Sequence, residues 1–157
     1  MTIFNAKFST MNKLILATVF CFTALLFTSC DKNETPAPPP PPTKTELITK
    51  ASWKFSTAFA GSTDVSSAPQ LACFKDNIIT FSASLTGSIN EGTIICSPTT
   101  AGSFTWNFAS NETILHISTV LIPGGSNDFT VVSLSETQLV VSQNYPPIGT
   151  VTVTFIH

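Results

Sequence analysis

From residue 47 onward, hydrophobic and polar residues alternate in short segments with a period of two. In the segment 103–109, Phe104, Trp106 and Phe108 alternate with Thr105 and Asn107. Alternation of this kind is typical of β-strands that are buried on one face only. No window has the helical period over the length of an ordinary helix, and only a short turn is expected at 47–50.

Eight segments of this kind are predicted strands, and residues typical of turns separate them. In the first strand, the shared face is predicted to carry Trp53, Phe55, Thr57 and Phe59. In the second, it is predicted to carry Ile79, Phe81, Ala83 and Leu85. The predicted strands are residues 53–59, 77–85, 92–97, 103–109, 114–121, 128–135, 137–143 and 150–156.

The order of these strands favours a closed sheet. Consecutive strands with short connections form an antiparallel meander, and closure into a barrel removes the exposed edges. The predicted fold class is therefore all-β, with an antiparallel barrel of about eight strands. A sandwich of two sheets has the same alternation and stays open as an alternative.

The chain before residue 30 has the pattern of an export signal. Lys13 precedes an apolar run at 14–27, which is too short to span a membrane comfortably. Residues 27–30 read Phe-Thr-Ser-Cys and resemble the lipobox of bacterial lipoproteins. We expect a signal peptide over residues 1–29, with Met11 as the true start. Cys30 is then expected to carry acyl chains such as palmitate and to anchor the protein in the membrane.

The segment 30–46 is the predicted tether between the anchor and the domain. It contains a proline-rich run at 36–42. Because proline fixes φ and has no N–H, this run is expected to be an extended polyproline II spacer. Residues 47–157 remain as one folded domain.

The charge pattern excludes nucleic-acid binding. All seven basic residues are lysines, and the chain has no arginine and no basic cluster. Only 10% of the residues are charged, so the polar surface consists mainly of Ser, Thr and Asn. This composition is typical of an exported β-domain.

Cys73 and Cys96 are the thiols that remain when the leader, with its Cys21, is removed and Cys30 is acylated. Two cysteines in an oxidising compartment usually pair, so we predict a disulfide between them. Free buried thiols and metal ligation are the alternatives. No histidine is near either cysteine in sequence and there is no C-x-x-C motif, so neither a metal nor a cofactor is expected.

Candidate catalytic residues are few. His116 lies in a predicted strand, and His157, at the end of the given sequence, is expected to be frayed. The sequence has no G-x-S-x-G motif, and most acidic residues lie in predicted turns. We therefore expect a protein that is not an enzyme.

The aromatic residues of the domain are the candidate ligand-binding residues. An eight-stranded barrel either fills its interior with side chains or holds one small ligand, and the sequence pattern does not separate these cases. The predicted lining of a ligand cavity is Trp53, Phe55, Phe81, Phe104, Trp106, Phe108 and Phe155.

A set of spaced residues resembles the bacterial lipocalin-like lipoprotein domains over residues 47–139. The set is Leu47, Trp53, Cys73, Asp76, Phe81, Gly92, Cys96, Trp106 and Leu115. The resemblance implies a small antiparallel barrel, often with a disulfide, and an outer-membrane location. Ligand-carrying lipocalins open with Gly-x-Trp and stack a later arginine on that tryptophan. Here residues 51–53 read Ala-Ser-Trp and arginine is absent.

The expected function is that of a membrane-anchored, non-enzymatic barrel that binds a small apolar or amphipathic ligand. The alternative is an adaptor that docks on a protein partner through an exposed sheet face rich in Ser and Thr. A lined cavity would favour the first function, and a filled interior with an exposed apolar patch would favour the second.

Overall fold

The computed structural model describes residues 37–122 and 124–157. The predicted signal segment 1–29 and the predicted lipidation site Cys30 lie outside the described residues. Residues 37–40 are exposed and form no helix or strand. The residues Pro41–His157 form one compact unit.

Nine antiparallel strands form a single sheet that closes on itself. The strands are β1 (Trp53–Ala60), β2 (Thr63–Asp64), β3 (Ile78–Phe81), β4 (Thr86–Asn90), β5 (Gly102–Ala109), β6 (Ile114–Ile117), β7 (Asp128–Leu134), β8 (Gln138–Tyr145) and β9 (Gly149–Ile156). The sheet order runs from β2 through β1 and then from β3 to β9, and β1 also pairs with β9. The closed ring confirms the predicted all-β barrel, and the two-sheet alternative is not observed.

The alternating residues of the strands build the core. In β8, every second side chain from Leu139 to Tyr145 is buried, and the intervening residues are partly or fully exposed. Each fully buried aliphatic or aromatic side chain contributes about 1.5–3 kcal/mol relative to an exposed position. The hydrophobic pattern in the sequence thus becomes the inner wall of the barrel.

The first strand departs from its predicted alternation. The pairing of β1 with β9 is irregular between Phe55 and Thr57. An extra residue at a bulge shifts the alternation by one position, so Ala58 is buried and Phe59 is 38% exposed. The prediction that Thr57 and Phe59 share a face with Trp53 is therefore wrong.

The second predicted strand is too long. β3 ends at Phe81, and the chain then turns at Leu85, which has a φ of +62°. A positive φ is incompatible with a continuing strand. Leu85 is 48% exposed, so the prediction that it shares the buried face of Phe81 is wrong.

The predicted strand 92–97 is wrong, since the strand lies earlier, at β4, and residues 92–97 form a loop. The backbone N–H groups of Thr93 and Ile94 donate to the Asp76 carboxylate, at 2.7 and 3.1 Å. These groups are therefore not available to a neighbouring strand.

A short helix, α1 (Lys44–Thr49), precedes the barrel and begins within the segment predicted as the tether. Thr43 and Glu46 form a capping box at its start. The indole N–H of Trp53 donates to the carbonyl of Ile48 at 2.8 Å, and Ile48 is fully buried. Lys50 pairs with Glu136 in the turn between β7 and β8, at 2.9 Å. These contacts place α1 at one end of the barrel, which we call the helix end.

The connections differ between the two ends. At the helix end they are short, comprising residues 82–85, 110–113 and 135–137. At the opposite end, which we call the loop end, three of the four connections are long, comprising residues 61–77, 91–101, 118–127 and the turn 146–148. Long loops on a rigid scaffold are common places for binding residues, so the loop end is the candidate functional end.

Candidate functional site

At the loop end, the segment that follows β1 completes the barrel wall. β1 pairs with β3 only through Trp53 and Lys54. Further along β1, the carbonyl of Ala58 accepts a hydrogen bond from Val65 N–H at 2.9 Å. The chain then enters a 3₁₀-helix (Pro69–Phe74). This segment therefore stands beside β1 where β3 does not reach.

An apolar pocket lies between this segment and the last two strands. Its wall includes residues from the connection 61–77, which contains the 3₁₀-helix and which we call the 3₁₀ segment. The rest of the wall comes from the loop 118–127, from the turn 146–148 and from β8 and β9. The described lining residues are Val65, Ala68, Gln70, Leu71, Ile122, Gln143, Tyr145, Ile148, Val151 and Val153. None of them is charged.

The pocket is narrow. The space in which the centre of a water molecule can move is about 10 Å³. This is close to the space that one bound water molecule needs. A larger molecule enters only if side chains of the 3₁₀ segment or the loop 118–127 move. The loop end therefore carries a small preformed pocket with a wall built partly from loops.

Gln143, with 6% exposure, and Tyr145, with 8%, are the buried side chains of this pocket that carry polar atoms. Gln143 holds the neighbouring loop. Its Oε1 accepts the backbone N–H of Ser126 at 2.8 Å. Because a backbone N–H can only donate, this contact fixes which amide atom faces Ser126. The Nε2 atom is buried and has no hydrogen-bond partner among the described residues.

The Gln143 amide lies flat against Gly125. A Cβ atom at Gly125 would be 2.8 Å from Nε2 and 3.0 Å from Oε1. The absence of a side chain at Gly125 thus leaves room for the amide, and the amide holds the loop 118–127 over the end of β8.

A disulfide joins two of the long loops. Cys73 in the 3₁₀-helix is bonded to Cys96 in the loop 91–101, as predicted from the cysteine count. A crosslink over a sequence separation of 23 stabilises a fold by about 3 kcal/mol in the chain-entropy model. The 3₁₀ wall of the pocket is therefore covalently tied to the neighbouring loop.

Two carboxylates organise the loop 91–101. Asp76 accepts the backbone N–H and the hydroxyl of Thr93, and the backbone hydrogen bond is the main cause that lowers its pKa. Burial raises the pKa of Glu91, but hydrogen bonds from Thr99 and Thr100 outweigh it and hold the pKa below its ordinary value. Both groups therefore serve as ionised acceptors for the loop.

Asn77, which directly precedes β3, is a second buried amide at this end. It is 1% exposed, and neither of its amide atoms has a hydrogen-bond partner among the described residues. Asn77 is not among the residues that line the apolar pocket.

The predicted cavity residues lie elsewhere in the barrel and pack on one another. Phe81 packs edge-to-face with Phe104 and Trp106, at centroid distances of 5.5 and 5.4 Å. Trp106 packs in the same way on Phe108 at 5.6 Å. None of the seven predicted lining residues is part of the pocket wall described above.

Phe55 and Phe155, two others of the predicted set, contact a ring that the sequence analysis did not single out. Phe74 of the 3₁₀-helix lies between them, with centroid distances of 5.8 and 5.7 Å. It is fully buried. The 3₁₀ segment thus inserts an aromatic side chain into the barrel interior.

Two other clefts are open to solvent. One has a volume of about 630 Å³ on the outer face of β3 to β5. Except for Gly87 and Phe104, its lining consists of hydroxyl residues, namely Thr80, Ser82, Thr86, Ser88, Ser103, Thr105 and Ser118. The other, of about 320 Å³, lies between the loops 91–101 and 118–127.

The two histidines have partners on the surface. His116 on β6 pairs with Asp128 at 2.6 Å, and the pair is exposed. Ser118, the nearest serine in sequence, accepts the Thr105 backbone N–H through its hydroxyl at 2.8 Å. His157 donates to the Ser52 carbonyl at 3.0 Å. The expectation that His157 is frayed is therefore wrong.

Within 37–122 and 124–157, no group of three or more His, Cys, Asp or Glu side chains is arranged to hold a metal ion. In the same ranges, no helix has the length and hydrophobicity that crossing a membrane requires.

A comparison with known protein families finds a match over more than half of the chain. A family model described as the lipocalin-like domain matches residues 49–141. The match begins at the end of α1 and ends within β8, so it includes the three long loops of the loop end. No curated protein matches the chain.

Proposed function

We propose, since the chain belongs to the lipocalin-like domain family, that its barrel is a non-enzymatic binding domain for a small, mainly apolar ligand. The apolar pocket at the loop end is the observation that carries the proposal. Ligand pockets are mostly apolar, with a few polar groups that orient the ligand. The pocket between the 3₁₀ segment and β8–β9 has this composition.

The position of the pocket supports the same function. Four of its lining residues, Val65, Ala68, Gln70 and Leu71, belong to the connection 61–77. A wall that consists partly of a connection can adjust to a ligand more easily than a wall of paired strands. When apolar surface of the ligand is buried in the pocket, each Å² contributes about 25 cal/mol to the free energy of binding, before the entropic and desolvation costs are subtracted.

A pocket-blocking variant of the full-length chain tests the proposal. Ala68 lines the pocket, whereas Ala72 in the same 3₁₀ segment is exposed. We expect Ala68→Phe to lower the affinity for the uncharged dye N-phenyl-1-naphthylamine at least about tenfold, because the added ring takes the space between the pocket walls that an entering ligand needs. Ala72→Phe is the matched control and should leave the affinity unchanged. A dye that binds neither wild type nor control, or that binds all three proteins equally, would contradict the proposal.

We also propose that the protein is a lipoprotein of the cell envelope, held in the outer membrane by acyl chains on Cys30. The apolar run 14–27, the Phe-Thr-Ser-Cys sequence and the proline-rich run 36–42 support this. Two or three acyl chains bind a bilayer far more strongly than one, because each buried methylene contributes about 0.8 kcal/mol.

The anchor has a matched control in the chain. Cells that express the protein are fed an alkyne-labelled fatty acid, and incorporation into the protein is measured. We expect Cys30→Ser to abolish the label and to release the protein from the membrane fraction. Cys21→Ser, which changes a thiol inside the apolar run, should keep the label and stay in the membrane fraction. Equal labelling of the two variants would exclude Cys30 as the acylation site.

A further inference from the structure

The open cleft between the loops 91–101 and 118–127 has a buried carboxylate, that of Glu91, hydrogen-bonded to its wall. We propose that this cleft is a second binding site and that it takes a small protonated amine with an apolar body. The cleft shares no described lining residue with the apolar pocket, so the inference goes beyond the proposed function and does not depend on it.

The composition of the wall is the first step. The cleft, which we call the threonine cleft, has a volume of about 320 Å³ and exposes both polar and apolar surface. Three threonine hydroxyls are the side-chain polar groups of the described lining, and none of the described lining residues is charged. The lining residues are Pro98, Thr99, Thr100, Thr119, Val120 and Gly124. The cleft therefore offers hydroxyl groups beside a small apolar surface.

The direction of these hydroxyls is the second step. Thr99 and Thr100 each donate through the hydroxyl to a different oxygen of the Glu91 carboxylate, both at 2.8 Å. A hydroxyl has one hydrogen, so a group that donates to Glu91 presents only lone pairs on its other sides. The backbone N–H of Ala101 uses one lone pair of Thr99, at 3.2 Å. Among the described residues, none donates to the hydroxyl of Thr100, which is therefore the main acceptor for a ligand.

The charge behind these hydroxyls is the third step. Glu91 is 2% exposed, and its hydrogen bonds hold its pKa below the ordinary value, so the carboxylate is ionised at neutral pH. In the described part of the chain, the side-chain ion pairs join Lys50 to Glu136 and His116 to Asp128, so Glu91 has no cation of its own there. A buried charge without a counter-ion is unfavourable, and charges attract more strongly where water is excluded.

A protonated amine matches both features. An ammonium group has only donors and carries a positive charge, so it fits oxygen lone pairs that lie in front of a carboxylate. If it donates to the Thr100 hydroxyl, that one hydroxyl separates it from Glu91. A ligand carboxylate would meet lone pairs and a like charge. A bare metal ion would leave the apolar wall at Pro98 and Val120 uncovered, whereas a small hydrocarbon body would cover it.

Three ring compounds of similar shape test the inference on the full-length chain. Benzylammonium is a cation at neutral pH, benzyl alcohol is neutral, and benzoate is an anion. NMR titration at neutral pH and constant ionic strength measures the dissociation constants and the shifts of the backbone amides. The titrations are made with the wild type and with two pairs of variants.

Each variant has a matched control in the chain. Glu91→Gln removes the buried charge, and Glu112→Gln makes the same change in net charge at an exposed turn of the opposite end. Thr100→Val removes a hydroxyl from the cleft wall. Thr93→Val is its control, because the hydroxyl of Thr93 donates to Asp76 in the same loop but Thr93 does not line the cleft.

In the wild type, benzylammonium should bind about tenfold more tightly than benzyl alcohol because of the carboxylate charge, and benzoate should bind weakest. The amides of 99–100 and 119–120 should shift with benzylammonium. Glu91→Gln should weaken benzylammonium about tenfold, and benzyl alcohol should stay within about twofold of the wild type. Thr100→Val should weaken benzylammonium about fivefold, the loss of one hydrogen bond. Both control variants should bind like the wild type.

The comparison of the three compounds on the wild type needs no substitution, so it decides even if Glu91→Gln does not fold. Benzyl alcohol or benzoate that binds as tightly as benzylammonium would overturn the inference. Equal losses in Glu91→Gln and Glu112→Gln would assign the preference to the net charge of the protein and overturn it too. If no amide of the threonine cleft shifts, the cleft is not a site for amines, whereas dye binding in the apolar pocket still tests the proposed function.

Discussion

The imidazole of His157 lies on the indole of Trp53, with the ring centroids 4.0 Å apart and the planes inclined by 37°. Trp53 is fully buried at the start of β1, and its N–H is held by the carbonyl of Ile48 in α1. His157 follows β9, the neighbour of β1 that closes the ring. The stacked pair therefore joins α1, β1 and β9 at the helix end. Ligand-carrying lipocalins stack a later arginine on the tryptophan of their opening motif; this chain has no arginine, and a histidine covers the ring of Trp53.

His157→Ala should therefore destabilise the fold by about 1–2 kcal/mol, because it removes a ring contact and a hydrogen bond to Ser52. Urea unfolding followed by tryptophan fluorescence measures the change. The control is His116→Ala, which removes an exposed ion pair with Asp128 and should cost no more than about 0.5 kcal/mol. Equal losses in the two variants would contradict a structural role for the stack.

Gly87→Ala should destabilise the barrel by about 1–3 kcal/mol through overpacking. Gly87 is paired with Phe81 on one side and with Phe104 on the other. A Cβ at Gly87 would overlap the ring of Phe104, which covers the glycine. Thermal or urea unfolding measures the effect. Ser88→Ala, at the exposed neighbouring position, should change stability by less than about 0.5 kcal/mol. A Gly87→Ala variant as stable as the wild type would contradict this packing.

The parts of the fold that could be predicted from the sequence are those that depend on neighbouring residues only. The alternation in 103–109 and in 137–143 follows from burial on one side of a strand. β5 contains the first segment, and β8 contains all of the second except its first residue. The order of the strands then implied a meander, and the ring of hydrogen bonds confirms it. The disulfide followed from the number of cysteines left for pairing.

The errors have non-local causes. The bulge after Phe55 becomes visible only in the pairing with β9. The loop 92–97 exists because Asp76, which is distant in sequence, accepts its backbone N–H groups. An apolar pattern such as Ile94-Ile95 cannot indicate that its hydrogen bonds go to a carboxylate, so a strand was predicted there.

The candidate site was missed although one signal for it was present. The alternation of Leu139 and Val141, when it is continued, places Gln143 on the inner face, where an amide side chain is uncommon. A polar residue in an apolar register is an informative feature. The aromatic residues that were predicted instead are the largest side chains, and large rings are also the ones that fill an interior by packing edge-to-face, as Phe81 does.

Loss of the disulfide should weaken the fold and loosen the pocket wall. We expect the double variant Cys73→Ala/Cys96→Ala to lose about 3 kcal/mol of unfolding free energy. The wild type in dithiothreitol should lose a similar amount, and the double variant should not respond to dithiothreitol. Urea unfolding with and without the reductant measures both. A wild type that is insensitive to reductant under conditions that reduce the bond would contradict the prediction.

Acid should weaken the loop 91–101 through Glu91. The pKa of this carboxyl is lowered below its ordinary value of 4.5 by the net effect of its hydrogen bonds, so the folded state binds the proton more weakly than the unfolded state. The resulting stabilisation is fully present above pH 4.5 and is lost as the pH falls through the pKa of the folded state.

Glu91→Gln should therefore lower stability near neutral pH. It should also make the decline of stability below pH 4.5 shallower than in the wild type. Unfolding free energies measured from pH 6 to pH 3 test this. Glu112→Gln, at an exposed turn position, is the control and should keep the wild-type decline. If both variants decline as steeply as the wild type, Glu91 does not couple the loop to pH, and Asp76, whose pKa is lowered mainly by the Thr93 N–H, becomes the group to substitute next.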